Sequence, residues 1–230
     1  MKGVIFDLDG VIVDTATYHY LAWKELAEEL GFSFDQEQNE RLKGVSRMAS
    51  LEIILELGGF TGMSQVEKEA LADRKNRRYV ELAATLTEAD ILPGISLFLR
   101  QLKQEDYRIA LGSASKSGGI ILERLGLTPY FDAVVDGQMV RKAKPDPEVF
   151  LTAARLLELP ASGCIVIEDS QAGLKAAKAG GMKTIGIGRP EHLTQADLLL
   201  ADTSHLPDSE YRSLLNNKKK QRGFPCTPIF

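Results

Sequence analysis

Hydrophobic and polar positions follow two different periods along the chain. Short apolar runs bounded by turn residues recur at Gly3–Phe6, Tyr107–Leu111, Ala133–Val135, Cys164–Ile167, Thr184–Ile187 and Leu198–Ala201, and they predict buried strands. Between them the period lengthens to that of a helix. Ile95, Phe98, Leu99 and Leu102 keep this spacing, and so do Val149, Phe150, Ala153, Ala154 and Leu157. Strands alternating with helices predict an α/β fold, a doubly wound and mostly parallel sheet with helices on both faces. The punctuation agrees: Asp146 is placed to cap a helix with Pro147 at its first position, and Gly126 and Gly180-Gly181 follow helical runs as stops.

One stretch breaks the alternation. From Asp14 to about Asp90 no strand pattern occurs, and three helices are predicted instead. The first spans His19–Leu30, with Trp23, Leu26, Ala27 and Leu30 on one face and Gly31 closing it; Met48–Leu57 and Ser64–Leu86 follow. This predicts a discontinuous α/β core, residues 1–14 and 90–215, interrupted by a helical cap, 15–89, and followed by a tail, 216–230. The third helix carries Glu67, Lys68, Glu69, Asp73, Arg74, Lys75, Arg77 and Arg78, a mixed-sign run expected to be a solvated face. The tail, with Lys218-Lys219-Lys220, Arg222 and two prolines, is expected to fray.

Composition narrows the functional classes. At 230 residues and 44% hydrophobic, the chain has material for a proper core, which rules out whole-chain disorder. A net charge of −4 gives no general attraction to nucleic acid or to an anionic membrane surface, so neither partner is expected and any phosphate must be held by local charge. No apolar run approaches the about 20 residues that span a bilayer, and the N-terminus turns acidic at Asp7, too early for a signal peptide; the expected location is the cytosol. No apolar helix face demands a partner, so a monomer is expected. The two cysteines, Cys164 and Cys226, form neither a metal cluster nor a disulfide framework, and Cys164 is expected to be buried.

Candidate chemistry gathers at strand ends. Asp7 and Asp9 follow the first strand, and Glu168-Asp169 follows Cys164–Ile167. Parallel strands end on one edge of a sheet, where ligands bind, so these four carboxylates can converge. Oxygen donors without nearby His or Cys suit a hard cation, and Mg2+ is the natural candidate. Gly112-Ser113-Ala114-Ser115 offers a hydroxyl and backbone N–H groups to an anion, and Lys144, held extended by Pro145, offers an ammonium.

In this order, Asp7-Leu8-Asp9-Gly10, Ser113, Lys144-Pro145 and Glu168-Asp169 resemble the four motifs of the haloacid dehalogenase superfamily, across essentially the whole chain. The resemblance implies that Asp7 is a nucleophile that becomes an aspartyl phosphate and that Asp9 is a general acid/base. Tyr18-His19 with Trp23, Lys43-Gly44-Val45-Ser46-Arg47, Ser113-Ala114-Ser115-Lys116 and Gly188-Arg189-Pro190-Glu191 are similar to the sugar phosphomutase branch of that superfamily. That branch implies exchange of β-D-glucose 1-phosphate and glucose 6-phosphate through β-D-glucose 1,6-bisphosphate. His19 would support Asp9. Lys43, Gly44, Val45, Ser46 and Arg47 would grip the distal phosphate from the cap, with Lys116 and Ser117, where the family commonly has Asn, reaching it from the core. Lys75, solvated by default, matches a family lysine near the hinge or substrate. The competing expectation is a phosphatase of the same superfamily, acting on a sugar phosphate or another small phosphomonoester, with water in place of the sugar hydroxyl.

Overall fold

The structure, a computed structural model, describes residues 1–42 and 45–216. Lys43, Gly44, Cys226 and all of the expected tail beyond Asn216 lie outside the described residues. Six strands form one sheet: β1 (Gly3–Phe6), β2 (Arg108–Gly112), β3 (Ala133–Val135), β4 (Cys164–Glu168), β5 (Lys183–Ile187) and β6 (Leu198–Leu200). Their order is β3-β2-β1-β4-β5-β6, and every pairing is parallel. Each apolar run of the sequence lies within one residue of its strand. β1 is central, with Gly3 opposite both Arg108 and Cys164. Strand order reverses at β1 and β4, so the crevice of a doubly wound sheet opens beyond their carboxyl ends.

Both faces of β1 are covered. Val4 and Phe6 join a cluster with Ile95, Phe98, Leu99 and Leu102, while Ile5 points to the opposite cluster with Val149, Phe150, Ala153 and Ala177. Burying each such side chain is worth about 1.5–3 kcal/mol, which explains why strands buried on two faces read as unbroken apolar runs.

The connection between β1 and β2 holds α1 (Ala16–Glu29), α2 (Gln36–Asn39), α3 (Arg47–Leu57) and α4 (Gln65–Ala83), before α5 (Ile95–Gln104). The helix expected from His19 thus starts earlier, at Ala16. α2, closed by a capping box between Asp35 and Gln38, is a further element. Trp23, Leu26, Ala27, Phe34, Leu51, Ile54, Leu55 and Ala72 make a hydrophobic cluster of this insert's own. Ala22, Tyr79 and Ala83 instead join the cluster on the sheet. The chain's two crossings into the insert are stitched together by an antiparallel bridge between Val13 and Ile91 and by the Leu92 N–H donating to the Ile12 carbonyl at 2.9 Å.

The remaining helices are α6 (Gly118–Arg124), α7 (Glu148–Leu156), α8 (Gln171–Ala179) and α9 (Tyr211–Leu215). α7 begins one residue later than Asp146-Pro147 suggested. Pro147 takes the cap position, and the Asp146 carboxylate still accepts from the Glu148 N–H at 3.0 Å. Cys164 is buried, as expected, and burial pushes its thiol up to about 11. Among the described residues no helix is long and apolar enough to cross a membrane.

Candidate active site

The loop after β1 places the first carboxylates. The Asp7 N–H donates to the Ile167 carbonyl at 3.0 Å, extending the sheet by one residue. The chain then curls, with the Leu8 carbonyl accepting from the Ile12 and Val13 N–H groups at 2.9 and 3.2 Å. Gly10 sits in the curl at φ +73°, where a Cβ would lie 2.1 Å from an Asp169 carboxylate oxygen. Both the left-handed backbone and the close approach require glycine.

Lys144 ties two strand ends together. Its Nζ donates to Asp7 Oδ1 at 2.7 Å and to Glu168 Oε1 at 2.5 Å, and the side chain is 9% exposed. Glu168 is fully buried; its other oxygen accepts from the Ser170 N–H and hydroxyl at 2.7 and 2.8 Å. Ser170 caps α8 at the same time, by accepting from the Gly173 N–H. Burial alone would lower Lys144, but the Asp7 and Glu168 carboxylates outweigh it and hold the ammonium charged. The peptide bond before Pro145 is cis.

Carboxylate oxygens of Asp7, Glu168 and Asp169 lie within 4.8 Å of one another. Asp9, expected to complete the metal set, is outside this group, because its carboxyl accepts a hydrogen bond from the Thr15 hydroxyl instead. Burial lifts Asp7 to about 6 despite Lys144, while desolvation and the Asp7 charge lift Asp9 to about 7. Desolvation, then Glu168 and Asp7, lift Asp169 to about 8. Acidic groups that so disfavour one another's charge, and that offer only oxygen, fit a hard divalent cation such as Mg2+.

Ser113 is fully buried at the end of β2, its N–H on the Val135 carbonyl and its Oγ accepting from the Ser115 N–H at 3.0 Å. Ala114 and Lys116 are exposed on this loop, while Ser117 is buried with its N–H donating to Ser115 Oγ at 3.3 Å. The structure therefore presents Lys116, and not Ser117, to the open side of the loop.

On the insert, the expectation that Lys75 is solvated is wrong. Lys75 is 4% exposed, its Nζ lies 2.7 Å from His19 Nδ1, and it stands over the Trp23 ring at 4.6 Å. Packing of α4 on α1 carries it inward from an otherwise exposed charged helix. Desolvation and the Arg47 charge lower Lys75 to about 7, and desolvation with Lys75 and Arg47 holds His19 well below the usual imidazole range. His19 stacks on Tyr79 and pairs with Lys75, so its recorded contacts do not run to Asp9. Trp23 is buried in the insert's own cluster, a packing position.

Arg47 is the first residue of α3. Ser46 caps that helix by accepting from the Ala49 N–H, and Val45 is exposed before it. The Arg47 guanidinium donates to Asn76 at 2.7 Å and lies 3.7 Å from Asp73. Two residues that sequence reasoning missed belong to this site. Thr15 precedes α1 and reads as an ordinary cap, yet its hydroxyl goes to Asp9; Tyr79 sits in a charged run with no signal of its own.

Known proteins are similar to this chain over most of its length. The chain is 49% identical over 207 residues to β-phosphoglucomutase of Bacillus subtilis, covering 90% of this chain and 92% of the relative. It is 32% identical over 187 residues to a phosphorylated carbohydrates phosphatase of Thermotoga maritima, covering 80% and 84%. A crystal structure of β-phosphoglucomutase from Clostridium difficile superposes with a TM-score of 0.88 at 41% identity, covering 94% of this chain and 97% of that one. The haloacid dehalogenase-like hydrolase family matches residues 4–187, which reach from β1 to the end of β5 and enclose Asp7, Ser113, Lys144 and the Glu168-Asp169 pair. By that match, the chain belongs to the haloacid dehalogenase-like hydrolase family.

Proposed function

We propose that this protein is a β-phosphoglucomutase, an isomerase that interconverts β-D-glucose 1-phosphate and glucose 6-phosphate by way of β-D-glucose 1,6-bisphosphate. The observation that carries this reading is the 49% identity with the Bacillus subtilis enzyme over 90% of the chain, an extent that must include the insert. Two phosphatases of the same superfamily reach 32% and 31%. We take residues 15–89 as the cap and the rest as the core.

The chemistry follows from the chain's own groups. Lys144 restrains Asp7 by Oδ1, and attack on phosphorus falls to the other oxygen of the carboxylate. As that bond forms, the bond from phosphorus to the sugar oxygen breaks, and Asp9 gives the oxygen its proton. That half takes the C1 phosphoryl group of the bisphosphate, releasing glucose 6-phosphate and leaving Asp7 phosphorylated. In the other half the 6-hydroxyl of β-glucose 1-phosphate gives a proton to Asp9 and takes the phosphoryl group from Asp7, forming the bisphosphate, which turns end for end before the next attack. With a pKa near 7, Asp9 is suited to both directions at neutral pH, unlike an ordinary aspartate. Lys144 and the Ser113 hydroxyl face the phosphoryl oxygens. An Mg2+ ion held by Asp7, Glu168 and Asp169 would supply further positive charge there. Arg47, Lys75 and His19 crowd positive or proton-accepting nitrogens together on the cap; desolvation and then the Arg47 charge lower Lys75, and desolvation with Lys75 and Arg47 lowers His19, a penalty on charge that a distal phosphate relieves. Cap closure excludes water and favours transfer to sugar over hydrolysis.

The test is a coupled glucose 6-phosphate assay on both anomers of glucose 1-phosphate, primed with the bisphosphate, with free phosphate followed in parallel. Turnover of the β anomer with little phosphate released is expected. Phosphate release in step with substrate consumption would establish the phosphatase instead.

A further inference from the structure

Tyr79 is 1% exposed, on the stretch of α4 that packs into the cluster on the sheet. Its hydroxyl is one of two buried side-chain polar atoms among the described residues that have no hydrogen-bond partner. Leaving such an atom unpaired costs stability, and a phenylalanine would fill the same space without that cost. The ring stacks on His19 at 4.0 Å between centroids and 17° between planes. The hydroxyl lies beside Thr15 and Ser115 but completes a hydrogen bond with neither. Thr15 is fully buried as well, and its single proton is spent on Asp9 Oδ1.

These two buried hydroxyls are complementary. When Asp9 turns from Thr15 toward a substrate oxygen, the Thr15 proton loses its acceptor, and the unpartnered Tyr79 oxygen is beside it. We propose that Tyr79 is a positioning residue for Asp9: its hydroxyl takes over the Thr15 hydroxyl when Asp9 is released, so that the release leaves no new buried donor unpaired. The Ser115 hydroxyl, on the β2 loop, is likewise beside the tyrosine oxygen. The exchange thereby links three segments: the insert helix α4, the junction at Thr15 and the core loop that carries Ser113.

The inference rests on the reading of Asp9 as the proton-transfer group. In Tyr79→Phe the held state loses its unpartnered hydroxyl and is favoured, while the released state gains an unpaired threonine and is disfavoured. The variant therefore shows opposite changes in two readouts. Its Tm is unchanged or higher, while kcat for β-glucose 1-phosphate falls about 5- to 30-fold with KM little altered. Thr15→Val removes the hydroxyl that is being exchanged, so adding Tyr79→Phe to it changes kcat by less than twofold.

Turnover of Tyr79→Phe within twofold of wild type would overturn the proposal. So would a loss of kcat accompanied by a lower Tm, or one that persists in full on the Thr15→Val background, since both describe a residue that only packs. Asp9→Asn is measured alongside. Retained turnover there overturns the reading of Asp9 and this proposal together, whereas lost turnover there with an uncoupled Tyr79 overturns this proposal alone.

Discussion

Lys75 is a lysine whose charge is opposed from two directions, by desolvation and by Arg47, and it is lowered from 10.5 to about 7. A phosphate dianion reverses the second of these effects, so binding draws a proton onto Lys75 above neutral pH. Calorimetry of sugar-phosphate binding at pH 8 in two buffers of different ionisation enthalpy should show net proton uptake, and Lys75→Met should abolish it. Stability carries the same signature. Because the folded pKa lies below the unfolded one, the folded state binds fewer protons between about pH 7 and 10.5, and this group makes stability rise with pH across that window. In Lys75→Met the rise flattens in chemical denaturation. Gly173 presents a steric case. A Cβ there would fall 1.9 Å from Glu168 Oε1, the atom that holds Lys144. Gly173→Ala should cost about 1–3 kcal/mol by overpacking and depress turnover as Lys144 shifts. Gly180→Ala, whose nearest neighbour is an ordinary 3.4 Å away, should leave both Tm and turnover near wild type.

At the scale of elements, α3 is aimed by its cap. Ser46 starts the helix so that Arg47, at the first position, reaches Asn76 and Asp73 on α4. The Asp73 side is 70% exposed, where an ion pair contributes about 0–1 kcal/mol, so Arg47→Ala should barely move the Tm. It should raise KM for the sugar phosphate at least tenfold while sparing hydrolysis of a small activated phosphate such as acetyl phosphate; equal losses on both would remove Arg47 from the distal-phosphate role. The strands were legible because β1, β4 and β5 are buried on both faces and write that burial as unbroken apolar runs. The core carboxylates were legible because a strand end fixes where the next residue goes. What escaped depends on contacts between elements distant in sequence. Lys75 is a charged residue among charged residues until α1 supplies His19 and Trp23 to cover it, and Thr15 is a routine cap until the β1 loop presents Asp9. α2 did carry a local signal, Asp35 three residues before Gln38, but its four residues are too short for hydrophobic periodicity to show.

For the whole molecule, a net charge of −4 conceals a separation of sign: Asp7, Glu168 and Asp169 sit at the sheet edge, while Arg47 and Lys75 stand on the insert. The raised carboxylates bind more protons folded than unfolded, so they cost stability increasingly as pH climbs from about 4 toward 8, and a bound cation offsets that cost. Mg2+ should therefore raise the Tm more at pH 8 than at pH 5, where protons compete for the same oxygens; an equal shift at both would place the ion elsewhere. The central position of β1 also has a consequence for how the chain is made. Gly3–Phe6 leaves the ribosome well before its partners Arg108–Gly112 and Cys164–Glu168. The insert's own cluster, from Trp23 to Ala72, is complete before either neighbour exists. Throughout that interval the nascent chain carries an apolar strand with both edges unpaired, tethered to helices that have a hydrophobic cluster of their own, so the most exposed moment of biosynthesis belongs to the strand that leads into Asp7.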